Sequence, residues 1–91
     1  MRTTSGETVE LENDRVRVVR VRVVGHEKLQ ARQRKDRVLV WLTNAEHQRT
    51  EAGRTERIGR KAGEVAWRAA STHEIENLSD EPVEVVIVEL K

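Results

Sequence analysis

Residues Arg15 to Val24 read RVRVVRVRVV, an alternation of β-branched and charged residues with a period of two. Such alternation predicts a β-strand with one buried face. Val18 and Val19 break the alternation, and the final strand, VEVVIVEL, contains a similar break. We therefore expect a β-bulge, or a crossing from one sheet to another, in both strands.

Short strands on either side of this stretch predict an all-β chain. Val38 to Thr43 reads VLVWLT, a nearly continuous apolar run that is typical of a strand covered on both faces. Helical spacing does not persist beyond a single turn. Roughly seven or eight short strands at intervals near ten residues predict an antiparallel sandwich or barrel.

Length and composition predict a single domain over residues 1–91. The 36% apolar content suffices for one hydrophobic core. With no cysteine, disulfides, thiol catalysis and thiolate metal sites are excluded, which suits the cytoplasm. A core of this size gains from a second copy of the chain, so we expect a homodimer.

Charge and hydropathy exclude two classes of partner. Seventeen basic and 16 acidic residues nearly cancel, and Phe and Tyr are absent, so we expect no nucleic-acid binding. No run approaches the roughly 18 apolar residues of a membrane span, so no membrane partner is expected. Met1 to Thr8 is polar and lacks a secretory apolar region. We expect residues 1–8 to be flexible or exchanged between protomers.

Two stretches resemble the sequence motifs of the cupin superfamily. Gly63 to Asn77 reads GEVAWRAASTHEIEN and resembles the second motif, with His73 and Asn77 at its His and Asn. Gly25 to Asn44 resembles the first motif in its frame, and the terminal strands look like those of small single-domain bacterial cupins. The resemblance implies an antiparallel double-sheet, or jelly-roll, barrel of roughly six to eight strands with an internal pocket.

The resemblance also implies a metal site, from which this sequence departs. Metal-binding cupins have two His one residue apart and a Glu a few residues later, where this chain has Arg32, Arg34 and Val38. Arg cannot replace these ligands, because its guanidinium stays protonated and has no free lone pair. We therefore predict a degenerate metal site with no metal and no other cofactor.

The two arginines indicate an anion site. If residues 32, 34, 38, 40 and 42 share one face, Val38, Val40 and Leu42 line the barrel and both Arg side chains point toward its mouth. Paired guanidinium groups suit a carboxylate or a phosphate. We predict that Arg32, Arg34, His47 and His73 bind a small organic anion. His73 is the candidate catalytic residue for metal-free proton transfer.

Three alternatives remain open from the residues alone. In the first, Arg32 and Arg34 lie in solvent and pair with Glu27 or Asp36. In the second, the protein is a metal-dependent dioxygenase or isomerase that uses His73 and His47 with unconventional ligands. In the third, side chains fill the pocket of a non-catalytic structural or regulatory homodimer.

The two tryptophans are assigned to packing. Trp41 and Trp67 both lie on predicted strands, where core or dimer contacts explain large apolar side chains better than ligand stacking does. If Trp41 faces away from the barrel, it is the expected anchor of the dimer.

Overall fold

The computed structural model describes residues 5–91, apart from the side chain of Ala31. Within that range the chain forms nine strands: β1 (Gly6–Glu12), β2 (Val16–Val23), β3 (Lys28–Arg34), β4 (Arg37–Trp41), β5 (Ala45–Glu51), β6 (Arg54–Arg60), β7 (Val65–Arg68), β8 (Ser71–Asn77) and β9 (Val83–Leu90). They form two antiparallel sheets, ordered β1-β2-β9-β4-β7 and β3-β8-β5-β6. The predicted all-β double-sheet architecture is confirmed. No helix long and apolar enough to cross a membrane occurs in this range.

Alternation with a period of two gives each sheet an inner and an outer face. Along β2, Val19, Val21 and Val23 are buried between the sheets, whereas Arg20 and Arg22 lie on the outer face. The inner faces form one apolar cluster around β2 and β9 and a second around β4. These clusters leave a cavity between the two sheets, which the strands of both sheets line.

The predicted bulges in β2 and β9 are wrong. β2 pairs with β9 residue for residue without a shift, and the irregularity lies in β1, between Val9 and Leu11. Val18 and Val19 are both apolar because they face opposite sides of the five-stranded sheet. The break in the alternation therefore arises because the outer face of this sheet is also apolar at Val18.

The predicted inward orientation of Val38, Val40 and Leu42 is also wrong. A turn at residues 35–36 takes the chain from β3 in one sheet to β4 in the other, so the parity of β3 does not continue. Arg37 and Trp41 face the cavity instead. Trp41 is 3% exposed, so the orientation required of a dimer anchor is not met.

The N-terminal segment is only partly described. Gly6, Glu7 and Thr8 form the start of β1 and pair with β2 of the same chain. Residues 1–4 of the segment that we expected to be flexible or exchanged lie outside the described residues.

Candidate functional site

The cavity between the sheets brings together all four residues named by the sequence. Its volume is about 80 Å³, well above the roughly 10–15 Å³ that a cavity needs to admit one water. Arg32, Arg34, His47 and His73 line it. It is also lined by three further arginines, Arg37, Arg49 and Arg68, and by an apolar surface that includes Leu29, Leu39, Trp41, Ile58, Ile75 and Ile87.

Arg32 and Arg34 share one carboxylate across the barrel. Both guanidinium groups donate hydrogen bonds to Glu7, which β1 supplies from the opposite sheet. The Arg34 side chain is 9% exposed and that of Glu7 15%, whereas Arg32 is 59% exposed at the cavity mouth. The alternative in which both arginines lie in solvent and pair with Glu27 or Asp36 is therefore wrong: Arg34 is buried, and the acid that both arginines contact is Glu7.

Arg37 is the most buried charged residue of the pocket, at 1% exposed, and the sequence reading missed it. Its guanidinium donates to the carbonyl oxygens of Lys35 and Ala69, both at 3.1 Å, and to Ser71 Oγ at 3.2 Å. Within residues 5–91 no carboxylate lies within 4.0 Å of it. Its spacing from Trp41, with a period of two, is the sequence signal that could have placed it inside.

Arg68 stands directly opposite Arg37 in the β4–β7 ladder. Like charges at such a cross-strand position destabilise a sheet. Burial lowers the pKa of both guanidinium groups, and neighbouring arginines, Arg49 among them, lower it further. On the other side of Arg37, β9 supplies Glu89, which is bonded to Arg17 at 3.2 Å.

His47 packs against the indole of Trp41. The ring centroids lie 6.4 Å apart with an angle of 20° between the planes, and the guanidinium of Arg60 lies 4.7 Å from the indole centroid. His47 Nδ1 and Trp41 Nε1 are buried without a hydrogen-bond partner among the described residues. Burial, followed by the charge of Arg60, lowers the pKa of His47 from 6.5 to about 4.

His73 lies next to Arg32 in the β3–β8 ladder. Its Nδ1 is 3.5 Å from Ser71 Oγ, at the limit of a hydrogen bond. Burial, followed by the charge of Arg37, lowers the pKa of His73 from 6.5 to about 4. At neutral pH its imidazole is therefore neutral, with one nitrogen that donates and one that accepts.

The two imidazoles that the metal-dependent alternative would use as ligands lie far apart. His47 pairs with Asn77, which follows His73 by four positions on β8. At about 3.3 Å per residue, this register separates the two histidine positions by about 13 Å along the strand. They are too far apart to share one metal ion, whose bonds to nitrogen are about 2.1 Å long.

The donor set does not fit the divalent ion that the resemblance implies. By the resemblance, Arg32 and Arg34 stand where metal-binding cupins have two histidines, and guanidinium groups offer no lone pair. Among residues 5–91, no group of three or more His, Asp or Glu side chains is placed to hold a metal ion. The described residues of the cavity therefore do not provide the ligands that such an ion needs.

Asn77, the other matched residue of the second motif, builds a turn. It is fully buried, and its Nδ2 donates to the carbonyl oxygens of Val23 at 3.0 Å and Glu81 at 2.7 Å. Its Oδ1 accepts from the amide of Ser79 at 2.9 Å. Gly25 packs against the same turn, where a Cβ would lie 2.5 Å from the carbonyl oxygen of Asp80. These motif residues therefore serve the fold.

Comparison with known proteins finds likeness in structure alone. No protein-family model matches the sequence, and no curated protein matches it. A cupin domain from Bordetella pertussis superposes with a TM-score of 0.90 at 22% identity, covering 100% of this chain and 97% of its own. An RmlC-like cupin family protein with a double-stranded β-helix fold, from Methanocaldococcus jannaschii, gives 0.76 at 15% identity, covering 98% and 82%. A double-stranded β-helix protein from Klebsiella pneumoniae gives 0.77 at 19% identity, covering 94% and 76%. This chain therefore has the fold of the small cupins, a double-stranded β-helix.

Proposed function

We propose that this protein binds a small organic carboxylate in the cavity of its barrel. The observation that carries the proposal is the pair of arginines that β4 and β7 place side by side, Arg37 and Arg68. Both line the cavity, and neither has a carboxylate within 4.0 Å among residues 5–91. A bound carboxylate between them offsets their repulsion and supplies the anionic acceptor that neither guanidinium group has within 4.0 Å in this range.

Unpaired donors around the cavity support the same proposal. Arg37 Nε, Arg49 Nε and Trp41 Nε1 are buried without a hydrogen-bond partner among the described residues. A buried donor without a partner costs about 1–3 kcal/mol. These atoms lie on side chains that line the cavity, so a ligand with acceptor oxygens lowers that cost.

The apolar part of the lining narrows the class of ligand. Leu39, Ile75 and Ile87 border the same cavity as the arginines. A ligand that fits both parts has a carboxylate at one end and a short apolar chain or ring at the other. A fully hydrated inorganic anion leaves the apolar part empty.

Within this proposal the family's metal ligands have been lost, and the anion occupies the space that the ion would need. His73 then serves as the proton carrier for metal-free proton transfer. Its neutral imidazole accepts a proton from the ligand, and the carboxylate raises the His73 pKa by offsetting the neighbouring arginines. Arg32 and Arg34, already bonded to Glu7, shape the cavity mouth and keep the ligand's entrance positive.

The two indole N–H groups provide a direct test by nuclear magnetic resonance. Trp41 Nε1 lies in the cavity wall, whereas Trp67 is 55% exposed on the outer face. Acetate, butyrate and benzoate, added in turn, should shift the Trp41 indole signal and leave that of Trp67 in place. Butanol, the uncharged counterpart of butyrate, should bind far more weakly.

Two matched substitutions test whether Arg68, one member of the pair, contributes to carboxylate binding. Arg68→Met should raise the Kd of the tightest carboxylate about ten- to a hundredfold, because a charge-assisted hydrogen bond contributes about 1.5–3 kcal/mol. Arg54→Met, at an exposed position on β6, should change nothing. An unshifted Trp41 signal with all three acids, or equal affinity for butyrate and butanol, would contradict the proposal.

A further inference from the structure

The acidic and basic residues that line the cavity are all basic. Within residues 5–91 they are five arginines on four strands: Arg32, Arg34, Arg37, Arg49 and Arg68. No Asp or Glu side chain of that range borders the same space. In the whole chain, by contrast, 17 basic and 16 acidic residues nearly cancel. The excess of positive charge is therefore a property of the cavity and not of the composition.

The protein's own acids neutralise only part of this charge. Glu7 is shared by Arg32 and Arg34, and Glu51 accepts from Arg49 at 2.5 Å. The two remaining arginines, on β4 and β7, have no carboxylate within 4.0 Å in the described part of the chain. Two acids against five arginines leave three positive charges. A ligand with a single carboxylate therefore leaves the cavity still positive.

The arginines converge at one end of the cavity, around His73. Arg34 stands opposite Ser71 in the β3–β8 ladder, and Arg37 donates to Ser71 Oγ at 3.2 Å, so the two pairs of arginines adjoin there. The pKa of His73 is lowered first by burial and then by the charges of four arginines, on β4, β5, β3 and β7. Because Coulomb interactions weaken with distance, these four guanidinium groups must lie near the imidazole.

The opposite end of the cavity carries no charge at neutral pH. Trp41 follows Arg37 by four positions on β4, which at about 3.3 Å per residue is about 13 Å along the strand. His47 stacks on Trp41, and its imidazole is neutral, because burial and then the charge of Arg60 lower its pKa to about 4. Val83 lines this end beside the indole. The cavity therefore has a cationic end and an uncharged, mainly apolar end.

A ligand that matches this polarity has its negative charges together at one end. One carboxylate offers two oxygens, which a single pair of guanidinium groups can satisfy. A second carboxylate on the same carbon atom, or on the adjacent one, reaches the other arginines of the cluster. A carboxylate at the far end of the ligand would lie against the apolar wall, where an unpaired charge is costly to bury.

We propose that the ligand is a dicarboxylate whose two carboxylates lie on the same or on adjacent carbon atoms and whose remaining substituent is a short apolar chain. This assignment rests on the proposed carboxylate binding and adds the class of ligand. The first carboxylate lies between Arg37 and Arg68. The second is held by Arg34 and Arg49, from the two strands that flank β8. Arg49 contributes a buried Nε that has no hydrogen-bond partner among the described residues.

Three matched acids test the proposal on the wild-type protein. Ethylmalonate is butyrate with a second carboxylate on the carbon that carries the first, and glutarate is an isomer of ethylmalonate with its carboxylates at opposite ends. Their Kd values are measured from the Trp41 indole signal, at constant ionic strength and at a pH that ionises every acid group. Ethylmalonate should bind about ten- to a hundredfold more tightly than butyrate, as expected for an added charge-assisted hydrogen bond. Glutarate should gain little over butyrate.

Propylphosphonate distinguishes two carboxylates from one dianionic group. It has the apolar chain of butyrate and places both negative charges on a single phosphorus. Because its oxygens are held closer together than those of ethylmalonate, it should reach fewer of the arginines. We therefore expect propylphosphonate to bind more weakly than ethylmalonate.

A substitution tests the position of the second carboxylate. Arg49→Met should weaken ethylmalonate binding about tenfold and leave the Kd of butyrate unchanged, because butyrate needs only the arginines of β4 and β7. Arg57→Met, on β6 with its side chain 71% exposed, is the matched control and should change neither Kd.

The outcomes separate this proposal from the one on which it rests. Failure of every acid to bind would overturn both. Butyrate binding without a gain for ethylmalonate, or equal affinity for glutarate and ethylmalonate, would overturn the dicarboxylate assignment and leave carboxylate binding in place. Tighter binding of propylphosphonate than of ethylmalonate would assign the site to a phosphoryl group instead. A folded R49M protein that keeps the full preference for ethylmalonate would also overturn the assignment.

Discussion

Two pairs of arginines line the same cavity, and they differ in whether a carboxylate of the protein neutralises them. Arg32 and Arg34, on β3, share the carboxylate of Glu7. Arg37 and Arg68, on β4 and β7, stand opposite each other with no carboxylate within 4.0 Å in the described part of the chain. The first pair is neutralised by the fold. Under our proposal, the second pair is neutralised only when an anionic ligand binds.

The contrast distinguishes arginines that are neutralised by the protein's own carboxylate from arginines that have no such partner and are candidates for ligand binding. Attraction to a carboxylate partner offsets part of the desolvation cost of a buried cation, whereas a neighbouring like charge adds repulsion to that cost. A protein keeps such a cost where activity requires it. Measurements that separate the two pairs therefore bear directly on function, and three follow from the largest expected effect to the smallest.

Acid should destabilise the protein through the two pocket imidazoles. The pKa of each is lowered from 6.5 to about 4, by burial first and then by Arg60 for His47 and Arg37 for His73. Because the unfolded chain takes up protons at higher pH than the folded chain, stability is full above pH 6.5 and falls as the pH drops toward 4. We expect a loss of roughly 2 kcal/mol for each imidazole, after allowing for partial solvent screening.

Urea unfolding at a series of pH values measures this loss. The double variant His47→Gln with His73→Gln should show a flatter dependence between pH 6.5 and 4. The variant retains every carboxylate, so the acid sensitivity that remains in it serves as the reference. A variant with the full wild-type slope would show that the imidazoles are not the groups that resist protonation.

Removal of the carboxylate that Arg32 and Arg34 share should leave this pair without an acid, as Arg37 and Arg68 are. Glu7→Gln leaves Arg34, 9% exposed, without its acid, so the free energy of unfolding should fall by about 3 kcal/mol. Glu10→Gln, on the same strand, removes only a surface contact to Arg20 and should cost less than about 1 kcal/mol. Urea unfolding of both variants measures the difference.

Added carboxylate sharpens the result for Glu7→Gln. Butyrate should stabilise this variant more than the wild-type protein, because a second pair of arginines becomes free to hold an anion. Equal losses in E7Q and E10Q would remove the distinction between the two pairs of arginines.

Removal of one member of the like-charge pair should increase the free energy of unfolding, and this is the smallest of the three effects. Arg68→Met should raise the free energy of unfolding by about 1 kcal/mol without ligand, since it removes the cross-strand repulsion with Arg37 and retains an apolar stem. Thermal unfolding in low salt measures the gain, and high salt should reduce it. A destabilised R68M protein would mean that Arg68 already has an effective partner.

The sequence predicted four of the residues that line the cavity, but it did not predict which arginines are paired with a carboxylate. The cupin resemblance singled out Arg32, Arg34 and His73, strand parity added His47, and all four line the cavity. The same rule failed at residues 35–36, because a turn between sheets resets the parity and no local pattern marks the change. Arg37 was missed for that reason.

What the sequence determined by itself is local: strands such as β2, β4 and β9 with their alternation, the lack of thiol chemistry, and the cupin resemblance, which sets Arg32 and Arg34 against the ligand positions of metal-binding cupins. Strand periodicity and residue chemistry need no distant partner to be read. The tertiary structure decided which arginine is paired and which is not. Glu7 reaches Arg32 and Arg34 only because β1 and β3 face each other, and Arg37 meets Arg68 only in the β4–β7 ladder. Electrostatic energy depends on separation in space, and the fold alone sets that separation.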